Sequence, residues 1–513
     1  MDMHIYEREV MNAIGVDIGT TNSCAIIGSD LASLEQVGSA SANGIIPSYV
    51  SVGPNTVYCG EAARQRRTAH PDRTFYEFKR TIARKWRQRA LWTSTAKHLT
   101  FKLGKPDNPD DPPVYGATLD NKFVQLTSFD LYVYLLKHMF KELPKNKPVV
   151  CVATVPATFT GPQREATKNA VAKALPAGST VTTLNEPTAG AIAYTSRADS
   201  EVAPGDYLLV LDVGGGTTDA TMVCTTKDGS IDVMRSKGDH DVGGAKLTDA
   251  VHTWVVAHCK KKGLKFAKDG TTLLHDRCEE AKRALSSVDE ATIALSGVVV
   301  GDVEPLGLTR AKFDDLVHNE VSAMCEIATQ ATGPETSNVK HVVLVGGATR
   351  TLLLREHIQH IYTNANIATT LNPETAVARG AAMQALDLIS QTTLPTTAAE
   401  TPTAPKLRSE MLNATISMRV RADQSFVLVQ QGTKLPHTYK RDFAPMNARQ
   451  TRMLMMLTQG EHKLSSCNDV LAQYEIPKAC TVTVVIRVGF DGSVRVKVKE
   501  KSSGRNLISA RAR

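Results

Sequence analysis

Leu211-Asp212-Val213-Gly214-Gly215-Gly216-Thr217-Thr218-Asp219 decides the fold, because the stretch occurs twice. Val16-Asp17-Ile18-Gly19-Thr20-Thr21-Asn22 repeats it loosely, 195 residues upstream. Each copy reads as an apolar strand ending in Asp, a glycine-threonine hairpin, and a second strand, CAIIG at 24–28 or ATMVC at 220–224. A repeat at that distance predicts two similar lobes facing each other rather than tandem beads. Outward from the repeat lie further short apolar strands, VVCVATV at 149–155 and HVVLVGG at 341–347. Periodic runs separate them: SFDLYVYLLKHMF at 128–140, PQREATKNAVAKAL at 162–175 and DRCEEAKRALSS at 276–287. The last is expected to start near a capping Asp and to place Cys278, Ala281 and Leu285 on one face. Strands alternating with helices predict an α/β architecture from about residue 13 to 385.

After Leu388 the texture changes. SQTTLPTTAAETPTAPKL lacks periodic apolar positions and reads as a linker. From Met411 the pattern has period two, and TVTVVIRV and SVRVKVK flank GFDG, a hairpin signal. In the second of these, Val494, Val496 and Val498 face one way and Arg495, Lys497 and Lys499 the other. The chain has 513 residues, too many for one ordinary core, so several domains are expected. Its net charge of +8 is unevenly placed. Residues 406–513 hold 19 basic and 8 acidic side chains, a net of +11, which leaves the preceding part at −3. No apolar run approaches the roughly 18 residues of a membrane span, and the polar, acidic start lacks signal architecture. The nine Cys form no CxxC pair and several sit in strand-like runs, so buried free thiols in a reducing, cytoplasmic compartment are expected.

Glycine-threonine hairpins supply backbone N–H donors for phosphate. Asp17 and Asp212, just before them, would repel phosphate directly but suit Mg²⁺ held through its water shell. Thr20, Thr21 and Thr217 offer hydroxyls nearby. There is no GxxxxGK[ST], which excludes a P-loop. A third glycine strand end, Val345-Gly346-Gly347-Ala348-Thr349-Arg350, brings backbone close to a ligand. Glu279, Lys282, Arg283 and Ser286 lie on one helical stripe that suits ribose hydroxyls and a stacked ring, although alone such a stripe is more often a solvated face.

These runs resemble the 70-kilodalton heat-shock chaperone family, whose nucleotide domain shares the actin fold. GVDIGTTNS at 15–23 and LDVGGGTTDA at 211–220 look like its phosphate loops, and TVPATFTGPQREATKNA at 154–170 and LNEPTAGAIAY at 184–194 like its connecting segments. CEEAKRALSS and VLVGGATR look like its adenosine-binding pieces. The resemblance implies a two-lobed actin-like nucleotide-binding domain at 11–386, a Thr/Pro/Ala-rich linker at 387–410, and a truncated β-sandwich substrate-binding-like domain at 411–513. It implies ATP/ADP with Mg²⁺, and K⁺ beside the metal. Asp17, Asp212 and Asp219 would serve the metal, and Lys79, Glu186, Asp212 and Thr217 the hydrolysis. Gly19, Thr20, Thr21, Gly214, Gly215 and Gly216 would hold phosphates. Gly243, Gly244, Glu279, Lys282, Arg283, Ser286, Gly346, Gly347 and Arg350 would surround the nucleoside. Pro156 and Arg164 would relay nucleotide state toward the linker. Taken alone, Lys79 lies in a basic helix-like run and reads as a solvated charge.

Against the family's pattern, Asn22 stands where an aromatic is usual, and Ala245-Lys246 replaces an acidic pair. The C-terminal part resembles the substrate domain more faintly. On this reading the helical lid and acidic tail are expected to be missing, and the Thr/Pro/Ala stretch to stand where an apolar docking linker is usual. The expected function is therefore an ATP-binding, slowly ATP-hydrolysing chaperone that grips unfolded or nascent polypeptide weakly. Its short length resembles the ribosome-associated branch. Implied partners are a J-domain co-chaperone, a nucleotide-exchange factor, and a ribosome or RNA-rich surface, with no membrane. The alternative is a co-chaperone or scaffold that binds ATP and a J-domain protein with little hydrolysis. A filament-forming or sugar-phosphorylating relative is disfavoured by the NEP and EEAKR segments and by the β-domain.

Overall fold

The computed structural model describes residues 11–37, 44–91, 99–120, 122–197, 200–268, 270–368, 370–392, 406–445, 450–476 and 480–511. The two copies of the Asp-hairpin stretch each build the centre of a sheet. In the first lobe, β1 (Asn12–Ile18) runs antiparallel to β2 (Asn22–Gly28), which pairs with β3 (Glu35–Gln36). On its other side β1 pairs in parallel with β4 (Val149–Val155), and β4 with β5 (Thr180–Asn185), giving the order β5-β4-β1-β2-β3. In the second lobe β6 (Tyr207–Val213) and β7 (Thr218–Thr225) form the hairpin, β8 (Ile231–Asp239) extends it, and β9 (Val339–Val345) and β10 (Asn366–Ala368) add in parallel. The same antiparallel hairpin with two parallel neighbours thus appears twice, as the repeat predicts. β4 is buried along its whole length, as expected of a strand covered on both faces.

The helices that matter to the site follow these strands. α1 (Ser128–Met139) starts on a capping box formed by Thr127 and Asp130. α2 (Gly161–Ala174) follows β4, and α3 (Glu186–Thr195) leaves β5 directly with Pro187 in its first turn. α4 (Gly244–Lys261), α5 (Gly270–Ala284) and α6 (Arg310–Thr332) pack on the second lobe. α7 (Ala376–Thr392) crosses α3 between the lobes. A Cβ on Gly380 would lie 1.8 Å from the Ala189 carbonyl oxygen, so glycine is required for this crossing. α5 begins six residues before Asp276, so that Asp lies within the helix and is not its cap; Cys278, Ala281 and Leu285 are buried as expected.

Both ends of the segment expected as a linker at 387–410 are regular structure. α7 runs to Thr392, and residues 393–405 lie outside those described. Leu407–Met411 forms a strand, β11, that pairs in parallel with β8 through Ile231↔Leu407 and Asp232↔Ser409. A docking segment is therefore present, contrary to the expectation that the Thr/Pro/Ala stretch had replaced it. Leu-Arg-Ser-Glu-Met carries no apolar run, and it docks instead through backbone pairing and through Ser409 Oγ, 2.9 Å from Asp232 Oδ1.

The C-terminal part is a β-sandwich. One antiparallel sheet has the order β13-β12-β16-β17, from β12 (Ile416–Arg419), β13 (Ser425–Val429), β16 (Met453–Gln459) and β17 (Asp469–Ile476). The other has the order β15-β18-β19-β20, from β15 (His437–Phe443), β18 (Val482–Val488), β19 (Val494–Glu500) and β20 (Asn506–Arg511). A two-residue strand, β14 (Lys434–Leu435), pairs with β11 and carries the second lobe's sheet into this domain. Ile416, Leu457, Val484, Ile486, Val496 and Val498 fill the sandwich core.

Candidate functional site

The two hairpins meet at the floor of a cleft of about 780 Å³ between the lobes. Gly19–Thr21 enters from one side and Gly214–Thr217 from the other. Their approach leaves no room for side chains: a Cβ on Gly215 would sit 2.0 Å from Thr21 Oγ1, and one on Gly216 2.9 Å from Thr20 Oγ1. Gly214 and Gly215 are stapled beneath α4, whose Gly244 and Ala245 N–H groups donate to their carbonyls at 2.9 and 2.8 Å. Gly346 has φ of +83°, a left-handed value suited to glycine, and its Cβ would lie 2.6 Å from Asp212 Oδ1.

Beneath the hairpins lies the charged centre. Lys79 Nζ donates to Glu186 Oε1 at 2.7 Å, and both side chains are more than nine-tenths buried. Lys79 sits on a 3₁₀ turn, Phe78–Thr81, entered through Glu77 at a left-handed φ of 55°. That turn, rather than a solvated helix, points the ammonium inward. Thr154 Oγ1 donates to Asp17 Oδ1 at 3.0 Å. Asp212 and Asp219 are directly opposed across the β6–β7 hairpin, and both are buried. Four carboxyl groups thus face one ammonium. Burial raises the Asp17 carboxyl above its ordinary value. Burial also pushes Glu186 up to about 7 against the pull of Lys79. Asp219 is pushed to about 8 by burial and then by Glu186. Asp212 is pushed well up by burial, with Glu186 and Asp17 adding to it. Lys79 is raised by Glu186 and Asp17 in spite of its burial, so it keeps its charge.

A buried surplus of carboxylate with Asp219 Oδ1 left without a partner fits a divalent cation. Among the described residues no three His, Cys, Asp or Glu side chains are placed to chelate a metal directly. This suits an ion that retains water ligands, as Mg²⁺ does.

The opposite wall carries residues that the sequence reading assigns to a nucleoside. Glu279, Lys282, Arg283 and Ser286 line the cleft from α5 and the turn after it, with Gly346, Gly347 and Arg350 beside them. Lys282 Nζ lies 2.5 Å from Glu279 Oε2 and 3.0 Å from the Gly244 carbonyl, and Thr248 Oγ1 donates to Glu279 at 2.5 Å. This network holds the stripe toward the cleft. Arg350 is held at 3.3 Å by Glu374. Asp219, Gly216 and Gly243 are not part of the lining: Asp219 lies behind it, and Gly243 packs against the Gly216 backbone. Ala245 lines the cleft, whereas Lys246 is turned to Asp241 at 3.1 Å, so the reversed charge does not enter the site. Asn22 lines the entrance at the start of β2.

Sequence reasoning missed Arg67 and Asp276. The Arg67 side chain is almost wholly buried, lies 4.6 Å over the Tyr76 ring, and pairs across the cleft with Asp276 of α5. Nothing in the RQRR run at 64–67 marks the fourth residue as the buried one.

Arg164, on α2, is buried between the nucleotide lobes and the sandwich. It donates to the Phe159 carbonyl at 3.0 Å and to Asn185 Oδ1 at 2.5 Å, and it feels the charges of Glu410 and Asp491. Glu410, on β11, accepts from Thr188 Oγ1 at 2.7 Å. Gln459 Oε1 of the sandwich accepts from the Gly161 N–H at 2.6 Å, and Gln88 donates to Asp469 at 2.5 Å. Pro156 contributes its carbonyl to Arg164 at 3.4 Å.

The family model described as "Hsp70 protein" matches residues 13–509. A ribosome-associated molecular chaperone of Candida glabrata is 28% identical over 510 residues, covering 96% of this chain and 81% of the relative. A ribosome-associated molecular chaperone of Saccharomyces cerevisiae is 28% identical over 517 residues, 98% and 82% of the two chains. A heat shock protein of Pyricularia oryzae is 28% identical over 527 residues, 99% and 82%.

Proposed function

The chain belongs to the Hsp70 family of molecular chaperones, and on that premise we propose that it binds and slowly hydrolyses ATP to regulate a weak grip on unfolded or nascent polypeptide. The observation that supports this reading best is the buried cluster of Asp17, Glu186, Asp212 and Asp219 around Lys79, at the point where two glycine hairpins converge. The nucleotide would lie across the cleft, with phosphates against Gly19–Thr21 and Gly214–Thr217 and the nucleoside against Glu279, Lys282, Arg283, Ser286 and Arg350. Mg²⁺, held through its water shell by Asp17 and Asp212 with Asp219 behind them and K⁺ nearby, would supply neutralisation of phosphate charge.

The chain's own residues do the rest by position. Glu186 orients the Lys79 ammonium, which polarises water for attack on the terminal phosphorus as the bond to the bridging oxygen breaks. Thr217 and Thr20 hold phosphate oxygens, and closure of the lobes excludes bulk solvent. Asn185, bonded to Arg164, immediately precedes Glu186 in the chain, so a change at the cluster is felt by the residues that touch Glu410 and the sandwich. This is the route by which the nucleotide would act on polypeptide binding.

The test is single-turnover hydrolysis together with fluorescent-nucleotide binding for Asp212→Asn and Thr217→Ala. Loss of about 10²-fold or more in turnover is expected, and unchanged turnover in both variants overturns the site. A second reading, a scaffold that binds ATP and a J-domain protein near the ribosome in the cytoplasm, is favoured by the relatives' ribosome association. It requires nucleotide binding without turnover and no loss of cellular function in Lys79→Ala.

A further inference from the structure

The outer sheet of the sandwich presents two different faces. Val482, Val484, Ile486 and Val488 of β18, with Val494, Val496 and Val498 of β19, point into the core. The alternate residues point away from it. Register places Thr438, Arg487 and Arg495 in one row, Lys440, Val485 and Lys497 in the next, and Asp442, Thr483 and Lys499 in the third. Five cations, Lys440, Arg487, Arg495, Lys497 and Lys499, therefore share one face of three adjacent strands. Asp442 is the acid among them, and it is engaged by Thr483 Oγ1 at 2.6 Å and Lys501 Nζ at 2.8 Å. Arg487 and Arg495 are directly opposite, an arrangement that like charges make unfavourable. Neither they nor Lys497 and Lys499 have an ion-pair partner among the described residues. A folded domain that retains such a face unpaired has the charge pattern of a surface for a polyanion.

We propose that this face docks the phosphate backbone of structured RNA without reading its sequence. The rows lie about 4.8 Å apart between strands and about 7 Å along them, a rigid grid of cations that a phosphate chain can cross. The outward positions in these rows carry no aromatic ring, so the stacking that holds splayed single-stranded bases is missing, and duplex regions are favoured. They also carry no Trp, Phe or Leu to insert into a bilayer interface, which disfavours an anionic membrane. The proposal deepens the ribosome-proximal reading above, yet it rests on sheet register and charge and does not require nucleotide use.

The experiment measures fluorescence anisotropy of a labelled duplex RNA with the full chain, between about 50 and 200 mM salt. One variant combines Arg495→Thr, Lys497→Thr and Lys499→Thr, which keep strand propensity. A charge-matched control combines Lys141→Thr, Lys145→Thr and Lys147→Thr on an exposed turn of the nucleotide domain. The parent should bind in the range of about 1–100 μM with a steep salt dependence. The sheet variant should bind at least about tenfold more weakly at low salt, with its log–log salt slope shallower by about 2–3. The control should match the parent. Equal binding by parent and sheet variant, or equal loss in both variants, overturns the proposal. So does a sheet-variant effect confined to phosphatidylserine vesicles or to polyglutamate, which would assign the face to a membrane or an acidic protein. Fluorescent-nucleotide binding and the melting curve are read on the same samples. A variant with nucleotide binding and melting intact and RNA binding lost separates this surface from the active-site reading.

Discussion

Asp219→Asn should make the nucleotide-free protein more stable, and increasingly so as pH rises from 5 to 7. Asp219 is 1% exposed, one of its oxygens has no partner, and its carboxyl is pushed from 3.8 to about 8 by burial and by Glu186. Between those values the folded protein binds a proton that the unfolded chain has lost, so stability falls with rising pH through this window. At about 1.4 kcal/mol per pH unit, the penalty is about 4 kcal/mol at pH 7 and about 2 kcal/mol at pH 5. Asn carries no such penalty. It keeps an oxygen for the Thr158 N–H and adds an amide whose burial costs about 1–3 kcal/mol at either pH. The expected net effect is stabilisation by about 1–3 kcal/mol at pH 7 and a difference near zero at pH 5. Urea unfolding of both proteins, in chelator and without nucleotide, reads it directly. Added Mg²⁺ with nucleotide should then stabilise the parent more than the variant. Equal destabilisation at both pH values would refute the reasoning, because it would make the carboxylate an ordinary hydrogen-bonded strut.

Arg164→Ala should loosen the sandwich from the nucleotide lobes, since the Phe159 carbonyl and Asn185 Oδ1 lose their buried guanidinium donor at a cost of about 1–3 kcal/mol. Lys at this position should not restore docking, because it lacks the fork that reaches Phe159 and Asn185 together; the radius of gyration by small-angle scattering checks both variants. Ile486→Ala, at a fully buried core position of the sandwich, should cost about 2–5 kcal/mol and lower the sandwich's melting transition while fluorescent-nucleotide binding persists. Maleimide labelling read by mass spectrometry should leave Cys24, Cys59, Cys151 and Cys278 unmodified in the native protein and modified in urea. All four are buried, and burial pushes the Cys24, Cys59 and Cys278 thiols up to about 12.

Strand ends and hairpins were the legible part of this chain, because their signals are local. An apolar run, an Asp and a Gly-Thr turn fix β1–β2 and β6–β7 wherever they occur. The stripe of Glu279, Lys282, Arg283 and Ser286 was readable for the same reason, since helical spacing alone puts those residues on one face. Lys79 shows where local reading fails. Its neighbours Arg80, Arg84 and Lys85 suggest solvent, and only Glu186, 107 residues away, explains its burial. The docking strand was missed because backbone pairing leaves no compositional trace, and because Glu410 is an acid that the sequence would place in water. Arg67 was missed for a related reason, since its partners Tyr76 and Asp276 come from separate elements and from both sides of the cleft.

β11 decides what the protein would expose if its domains were to separate. Among the described residues it is the only cover on the outer edge of β8, and it lies between that strand and β14. Withdrawal of Leu407–Met411 would leave N–H and C=O groups of β8 unpaired, an open margin of the kind that recruits other extended chains. The register with β8 is short and broken by a shift, so that margin spans only a few residues. Separation of the two domains would thus also unveil a small adhesive strip, kept brief by the shortness of that register.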